Sequence, residues 1–372
     1  MKDYRLPASG ASRVALQQIY CYHNRMKKTI LQPPVGWGII GCGDVTEVKS
    51  GPGFQKADNS RLVAVMRRTG HLARDYAERH GVPAWYDDAD KLIADPAVTS
   101  VYIATPPETH LEYALAVAAA GKPAYVEKPM GRNHAECEEM IRAFGDAELP
   151  LYVAYYRRAL PRFVKVKELL DRKAIGTLTG VTLHFAQPRH NPQEGALPWR
   201  LTAESAGGGL VMDMGSHAVD IVDYLLGPME DVTGNAWNLA HVAEVEDRVV
   251  GTFTAGGVPG CASWNFAAAE EEDLLAIDGT EGAIRLSVFG NDPVRAITSA
   301  GEQQFDLPNP AHVQQPLIQT VTDDLTGRGT CPSTGESAAR TNAVLDRMLS
   351  RYYGGRDDAY WSRPESWPGR GE

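Results

Sequence analysis

The 372-residue chain is short of positive charge: 37 Lys and Arg against 47 Asp and Glu give a formal net charge of −10. No basic stripe is present to neutralise phosphates, which argues against a nucleic-acid or anionic-membrane partner. Long apolar runs are missing too, and the N-terminus lacks a charged head followed by an apolar signal core. Cysteine is sparse. Cys21, Cys42, Cys137, Cys261 and Cys331 are odd in number, scattered and without a CxxC pair, so neither a disulfide frame nor a zinc site is expected. Together these absences predict a soluble, cytoplasmic protein with reduced thiols and no bound metal.

What is present is ordinary globular chemistry. Hydrophobic residues make up 43% of the chain and charged residues 23%, enough for two cores, so two domains are expected. Residues 1–34 differ from the rest, mixing Ser, Gly, Arg, Gln and aromatics up to the Pro33-Pro34 break. They read as an N-terminal extension or arm. Either it embraces a neighbouring subunit, or it comes from a start codon placed too far upstream, with Met26 as the start.

From Val35 strands and helices alternate. Strands are expected over 35–40, 61–66, 84–86, 100–104, 124–126 and 151–155, and helices over 72–80, 89–94, 109–120 and 134–145. This alternation predicts an α/β domain over 35–157, a Rossmann-type doubly wound parallel sheet whose ligand sits outside the carboxyl ends of the strands.

The first strand ends in Gly41-Cys42-Gly43-Asp44-Val45-Thr46. Glycine lets the backbone turn tightly and approach a pyrophosphate, whose charge the N–H groups of the next helix can meet. Thr46 stands where the usual fingerprint has its third glycine. A lone Gly-x-Gly is more often only a turn, but between the first strand and first helix of a βαβ unit it points to a dinucleotide. The second strand runs into Arg67-Arg68-Thr69, with no carboxylate for the ribose hydroxyls. Two guanidinium groups and the Thr69 hydroxyl suit a ribose 2′-phosphate, so NADP(H) is expected ahead of NAD(H); solvated surface arginines are the other reading.

Thr105-Pro106-Pro107-Glu108-Thr109-His110 closes a later strand at the same sheet edge. Helix capping accounts for part of it, and His110 is either a ligand contact or a satisfied structural histidine. Glu127-Lys128-Pro129 follows the strand at 124–126. A desolvated ammonium group there can donate or relay a proton near neutral pH, whereas a solvated lysine before a turn proline would mark only a strand end.

Past Arg158 the alternation stops. A helix near 161–170 precedes strands at 178–186, 229–237, 247–254, 260–265, 274–278 and 282–287, whose polar–apolar alternation suits a sheet with one open face. Residues 158–353 are therefore expected to form an α+β substrate-binding and oligomerisation domain. A capping-box-like start after 332–336 leads into a helix that packs back between the domains, and 354–372 reads as a tail.

Within this domain Gly207-Gly208-Gly209 precedes a helix on which Asp213, His217, Asp220 and Tyr224 share one side. A carboxylate and an imidazole four residues apart can form a proton-transfer unit in which Asp213 tunes His217. A polar stripe is otherwise usually a solvated face. The glycines permit close approach of backbone to a ligand.

Over essentially 35–349 the chain resembles the Gfo/Idh/MocA family of NAD(P)-dependent oxidoreductases. The resemblance rests on the glycine turn, the Thr105-Pro106-Pro107 loop with His110, Glu127-Lys128-Pro129, Trp199-Arg200, and the glycine-led helix carrying Asp213 and His217. It implies that the second domain holds an open, mostly antiparallel sheet, through which members commonly form homodimers or homotetramers. It also implies that Lys128 is the catalytic lysine with Asp213 and His217 as partners. The cofactor would then be met by Gly41, Gly43, Asp44, Val45, Thr46, Arg67, Arg68, Thr105, Pro106, His110, Glu127 and Lys128, with Trp199 and Arg200 near the nicotinamide.

Family substrates are sugars, anhydrosugars, inositols and related cyclic polyols. Here they would be contacted by Lys128, Tyr156, Arg157, Asp213 and His217, with Tyr155, Arg158, His184, His190 and Asn191 as further candidates. In oxidation His217 would take the hydroxyl proton and Lys128 would hydrogen-bond the same oxygen. Two alternatives stand beside this. One is a dihydrodiol-type dehydrogenase with a more apolar pocket; the other is a non-enzymatic cofactor-sensing regulator of the same fold.

Overall fold

The computed structural model describes residues 30–189 and 197–370. His190, Asn191 and most of the 1–34 extension lie outside the described residues. Six strands, β1 (Val35–Ile40), β2 (Ser60–Met66), β3 (Ala84–Tyr86), β4 (Ser100–Ile103), β5 (Ala124–Val126) and β6 (Leu151–Val153), form a parallel sheet in the order β3-β2-β1-β4-β5-β6. Every residue of β1, β4, β5 and β6 is buried, as expected for apolar runs covered on both faces. Strand order reverses between β1 and β4, and a crevice opens there at the carboxyl ends.

One face of this sheet is covered by the helices Ala89–Ala94, His110–Ala119 and His134–Asp146, the other by Gly51–Lys56, Gly70–His80 and Gln315–Leu325. The second face is unusually aromatic. Phe54 is fully buried, its ring centroid 4.9 Å from Trp37 and 5.1 Å from Tyr102. This stack fixes the Tyr102 ring, whose hydroxyl reaches Glu127 at the end of β5.

The second sheet has eight strands: β7 (Leu178–Pro188), β8 (Met229–Trp237), β9 (Arg248–Ala255), β10 (Val258–Ala268), β11 (Glu272–Gly279), β12 (Gly282–Leu286), β13 (Val294–Thr298) and β14 (Gly301–Phe305). Their order is β14-β13-β12-β11-β7-β10-β9-β8, antiparallel except where β7 meets β10. The hairpin of β13 and β14 adds to the six strands expected here. Gly301–Phe305 is almost wholly exposed, so it carries no apolar alternation to read. The helices Pro161–Asp171, Ser216–Leu226 and Gly335–Tyr353 cover one face, while Trp237, Val250 and Leu274 stand exposed.

Two expectations about the chain's later course are corrected. The span 158–353 does not stay in one domain: Leu317, Ile318, Val321 and Leu325 return to the core of the first sheet. The helix Gly335–Tyr353 then crosses between cores, with Ala338 and Ala339 in the first and Val344, Leu345, Met348 and Leu349 in the second. Thr334 and Ser337 cap its start reciprocally. Nor does the stretch after it hang free, since Tyr360 and Trp367 are buried in the second core. No helix among the described residues is long and apolar enough to cross a membrane.

Phe54→Ala removes the middle ring of the aromatic stack. We expect a loss of about 3–5 kcal/mol in stability by urea denaturation, the usual cost of emptying a large aromatic site.

Candidate functional site

The carboxyl ends of the parallel strands open into a cleft of about 440 Å³. Its walls are Gly41, Gly43, Asp44 and Val45 after β1, Arg67 and Arg68 after β2, Thr105 and Pro106 after β4, and Glu127 and Lys128 after β5. Trp199, Arg200 and Asp213 close it from the second domain. Gly41 has φ +93°, and a side chain there would meet Thr105 Cγ2 at 2.8 Å and Ala104 carbonyl oxygen at 3.0 Å. At Gly43 an added Cβ would meet nothing nearer than 3.9 Å, so the cleft side of this residue is sterically open to a close-lying ligand. Among the described residues neither the Arg67 nor the Arg68 side chain has an ion-pair partner. The turn, the open side at Gly43 and the two cations fit a dinucleotide laid across the sheet edge.

Thr46 does not line this cleft. Its buried hydroxyl accepts from Gly43 N–H at 2.9 Å and donates to Gly43 carbonyl at 2.8 Å, pinning the turn from below. His110 is also absent from the wall. It is fully buried, one ring nitrogen 2.8 Å from Thr105 carbonyl and the other 3.1 Å from Pro129 carbonyl, so it ties two cleft loops together. Burial pushes its pKa down despite these carbonyls.

At the inner end Lys128 Nζ donates to Asp213 Oδ1 at 2.5 Å and to Asp213 carbonyl at 3.0 Å. Arg200 Nε lies 3.0 Å from the other carboxylate oxygen, and its guanidinium stacks 4.3 Å from the Trp199 ring. Burial pushes the Asp213 carboxyl up, but Lys128 and Arg200 outweigh it and hold it below the usual range. Glu127 backs the lysine. Its buried carboxylate accepts from Tyr102 hydroxyl, from Gln314 Nε2 at 2.6 Å and from Lys128 N–H at 3.1 Å.

Asp213 was expected to tune His217, but no hydrogen bond among the described residues joins them. The reason is local. Val211–Gly215 is a π-helical turn, which breaks the four-residue register before the α-helix Ser216–Leu226 begins. Asp213 turns to Lys128, while His217 sits among rings, 5.2 Å from Tyr156, 5.9 Å from Tyr155 and 6.2 Å from Phe289. Burial, then the charges of Arg157, Lys128 and Lys49, push the His217 pKa well below its ordinary value. Its Nδ1 has no partner among the described residues.

Other expected substrate contacts disperse. Arg157 is buried, with Nε donating to Val288 carbonyl at 3.0 Å and its guanidinium 4.5 Å from the Phe289 ring. Arg158 forms a buried pair with Asp220 at 2.7 Å and Asp223 at 3.0 Å, so the expected polar stripe is a structural tie at Asp220. His184 pairs with Glu272 at 2.8 Å, on the side of β7 opposite its buried Val181, Leu183 and Phe185. Thr69 lines the cleft beside the two arginines, as expected for its hydroxyl, while Tyr113, Cys42, Met66 and Ala104 line it and were not foreseen. Cys42, Met66 and Ala104 flank residues that were; Tyr113 left no signal, being one aromatic on a helix. Burial pushes the Cys42 thiol up to about 11, so it stays protonated. Among the described residues no group of three or more His, Cys, Asp or Glu could hold a metal.

A profile described as an oxidoreductase family with an NAD-binding Rossmann fold matches residues 35–155, and one for the Gfo/Idh/MocA C-terminal domain matches residues 163–285. Oxidoreductase P35 of Formosa agariphila is 36% identical over 318 residues, covering 85% of this chain and 98% of the relative. A 1,5-anhydro-D-fructose reductase of Ensifer adhaerens is 27% identical over 81% of this chain and 91% of its own. A trans-1,2-dihydrobenzene-1,2-diol dehydrogenase of Xenopus laevis is 25% identical over 76% and 83%. Levoglucosan dehydrogenase, solved with NADH and levoglucosan, shares the fold at a TM-score of 0.76 and 22% identity, over 85% of this chain and 96% of that one. The two profiles and the 36% relative, taken with the glycine turn and cleft, identify this chain as a member of the Gfo/Idh/MocA oxidoreductase family with an NAD-binding Rossmann domain.

Proposed function

We propose that this oxidoreductase prefers NADP(H) and interconverts a secondary alcohol and ketone on a sugar, anhydrosugar or cyclic polyol. The observation that carries the reading is the Lys128–Asp213–Arg200 cluster at the inner end of the dinucleotide-shaped cleft. Gly41, Gly43, Arg67 and Arg68 would hold the cofactor's phosphates, and Trp199 and Arg200 would border the nicotinamide. When bound, that ring supplies the hydride acceptor or donor.

The chain's own residues handle the proton. Lys128 Nζ, held against Asp213, can donate a hydrogen bond to the reacting oxygen and stabilise negative charge building there. His217, held neutral, can accept the hydroxyl proton in oxidation and return it in reduction. The rings of Tyr156 and Phe289 make the surroundings of His217 apolar, which favours keeping cyclic dihydrodiols as the second substrate class. The exposed Trp237, Val250 and Leu274 support association of copies through the eight-stranded sheet.

The direct test is a turnover screen of levoglucosan, 1,5-anhydrofructose, aldoses, inositols and dihydrodiols with NADPH and NADH, read by nicotinamide absorbance beside a Lys128→Ala control. We expect turnover by the wild type and its loss in the variant; tight cofactor binding without any turnover would instead identify a sensor. Arg67→Ala should weaken NADPH binding by about tenfold or more and leave NADH nearly unchanged, since it removes a charge-assisted phosphate contact. Equal losses for both would end the 2′-phosphate argument.

His217→Asn should lower turnover with cofactor affinity kept. It also carries a pH signature. Below about 6.5 an unfolded histidine takes up a proton that the folded site refuses, so His217 erodes stability as pH falls. Urea midpoints between pH 7 and 5 should therefore fall more for the wild type than for His217→Asn, and parallel curves would show that His217 is not desolvated in solution.

A further inference from the structure

The stretch after the long helix touches both turns that deliver the charged pair. Four residues beyond Lys128, Arg132 carbonyl accepts from Arg356 Nη2 at 2.9 Å. The same Nη2 lies 3.4 Å from Met212 Sδ, next to Asp213. Arg132's guanidinium in turn lies 3.8 Å from the Trp361 ring, and Asn133 Nδ2 donates to Asp358 carbonyl at 3.2 Å.

On the second domain's side, Tyr360 hydroxyl donates to Gly207 carbonyl at 2.6 Å. Tyr353 hydroxyl donates to buried Glu246, whose carboxylate accepts from Gly209 N–H at 3.0 and 3.1 Å. The two turns meet face to face: a side chain at Gly207, φ +76°, would strike Arg132 carbonyl oxygen at 2.3 Å. The segment is itself anchored, with Trp367 Nε1 donating to Tyr360 carbonyl at 3.0 Å and its ring 4.7 Å from Tyr353.

Arg356 is 3% exposed, and its guanidinium is shared among three segments. Its Nε pairs with Asp346 Oδ1 of the long helix at 2.7 Å, which offsets part of the cost of burying the charge. That pair leaves Nη2 to hold Arg132 carbonyl and Met212 together, which ties the Lys128 turn to the Asp213 turn.

We propose that the segment 356–367, through Arg356, Tyr360 and Trp361, is a positioning element of the active site. It clasps the 129–133 and 207–209 turns and so sets the contact between Lys128 and Asp213. The inference rests on the catalytic reading of that pair, and a shift of about 1 Å there is enough to cost up to a hundredfold in rate.

The test uses Tyr360→Phe, which removes one hydroxyl and keeps the ring, and Trp361→Leu, which removes the aromatic face over a partly exposed guanidinium. Each is assayed for melting temperature, NADPH dissociation constant, kcat and KM, and for the rate of Lys128 acetylation under competitive labelling read by mass spectrometry. We expect both to fold and to bind NADPH like the wild type, and to lose about tenfold or more in kcat. Lys128 should label faster while the other lysines do not change. Wild-type labelling of Lys128 in both variants overturns the proposal, as does a uniform rise across all lysines, or an unchanged kcat where the wild type is active. Should the wild type turn over no substrate, the enzymatic reading fails, and the labelling still decides whether the clasp holds Lys128.

Discussion

An ammonium just past a strand of the parallel sheet and a carboxylate on a π-helical turn of the second domain meet at 2.5 Å, with side chains only 13% and 17% exposed. Out of bulk water such a pair attracts strongly, but each ion alone would be costly to bury, so both must arrive together and stay. Much of the molecule meets that requirement. The aromatic stack of Trp37, Phe54 and Tyr102 ends in a hydroxyl that holds Glu127, and Glu127 holds the Lys128 backbone. Across the cleft, the glycine turn and the π-helical turn bring Asp213 forward without a side chain in the way. Arg200 adds a second cation on the other oxygen of the carboxylate.

Asp213 and His217 divide the labour that a four-residue spacing assigned to one couple. Asp213 is an electrostatic partner of Lys128 and Arg200; His217, its pKa pushed down by burial, sits apart in a ring-lined box. That separation suits reversible alcohol chemistry. A histidine tied to a carboxylate would be held protonated more readily, whereas burial beside cations disfavours the protonated form. The loop carrying Phe289 is fixed in turn by Asp273, which accepts from Val288, Phe289 and Gly290 N–H groups at 2.8, 2.6 and 3.0 Å.

The parallel sheet was readable because its strands are continuous apolar runs and each motif follows a strand end. Gly41, Gly43, Arg67, Thr105 and Lys128 all stand in one cleft wall for that reason. What could not be read depends on contacts between distant segments. His110 sits three residues past Pro107 in a loop that reaches the cleft, yet burial turns it inward. The π-turn at Val211–Gly215 leaves no compositional trace, so helical spacing misassigned the partner of Asp213. The Arg, Pro, Gly and Trp of the last residues look like a tail by composition, and only their docking against Tyr353 reveals them as core.

The helix Gln315–Leu325 completes a core begun almost three hundred residues earlier in the chain, where Val35, Trp37 and Phe54 lie. During synthesis the parallel sheet therefore emerges with its aromatic face only partly covered, by Gly51–Lys56 and Gly70–His80, and it stays so while the whole second sheet is made. Nascent domains usually close in order along the chain; this one must wait for its cover. The exposed aromatics make the half-made protein a natural client for chaperones, and truncated chains ending before 325 would be the forms most prone to aggregate.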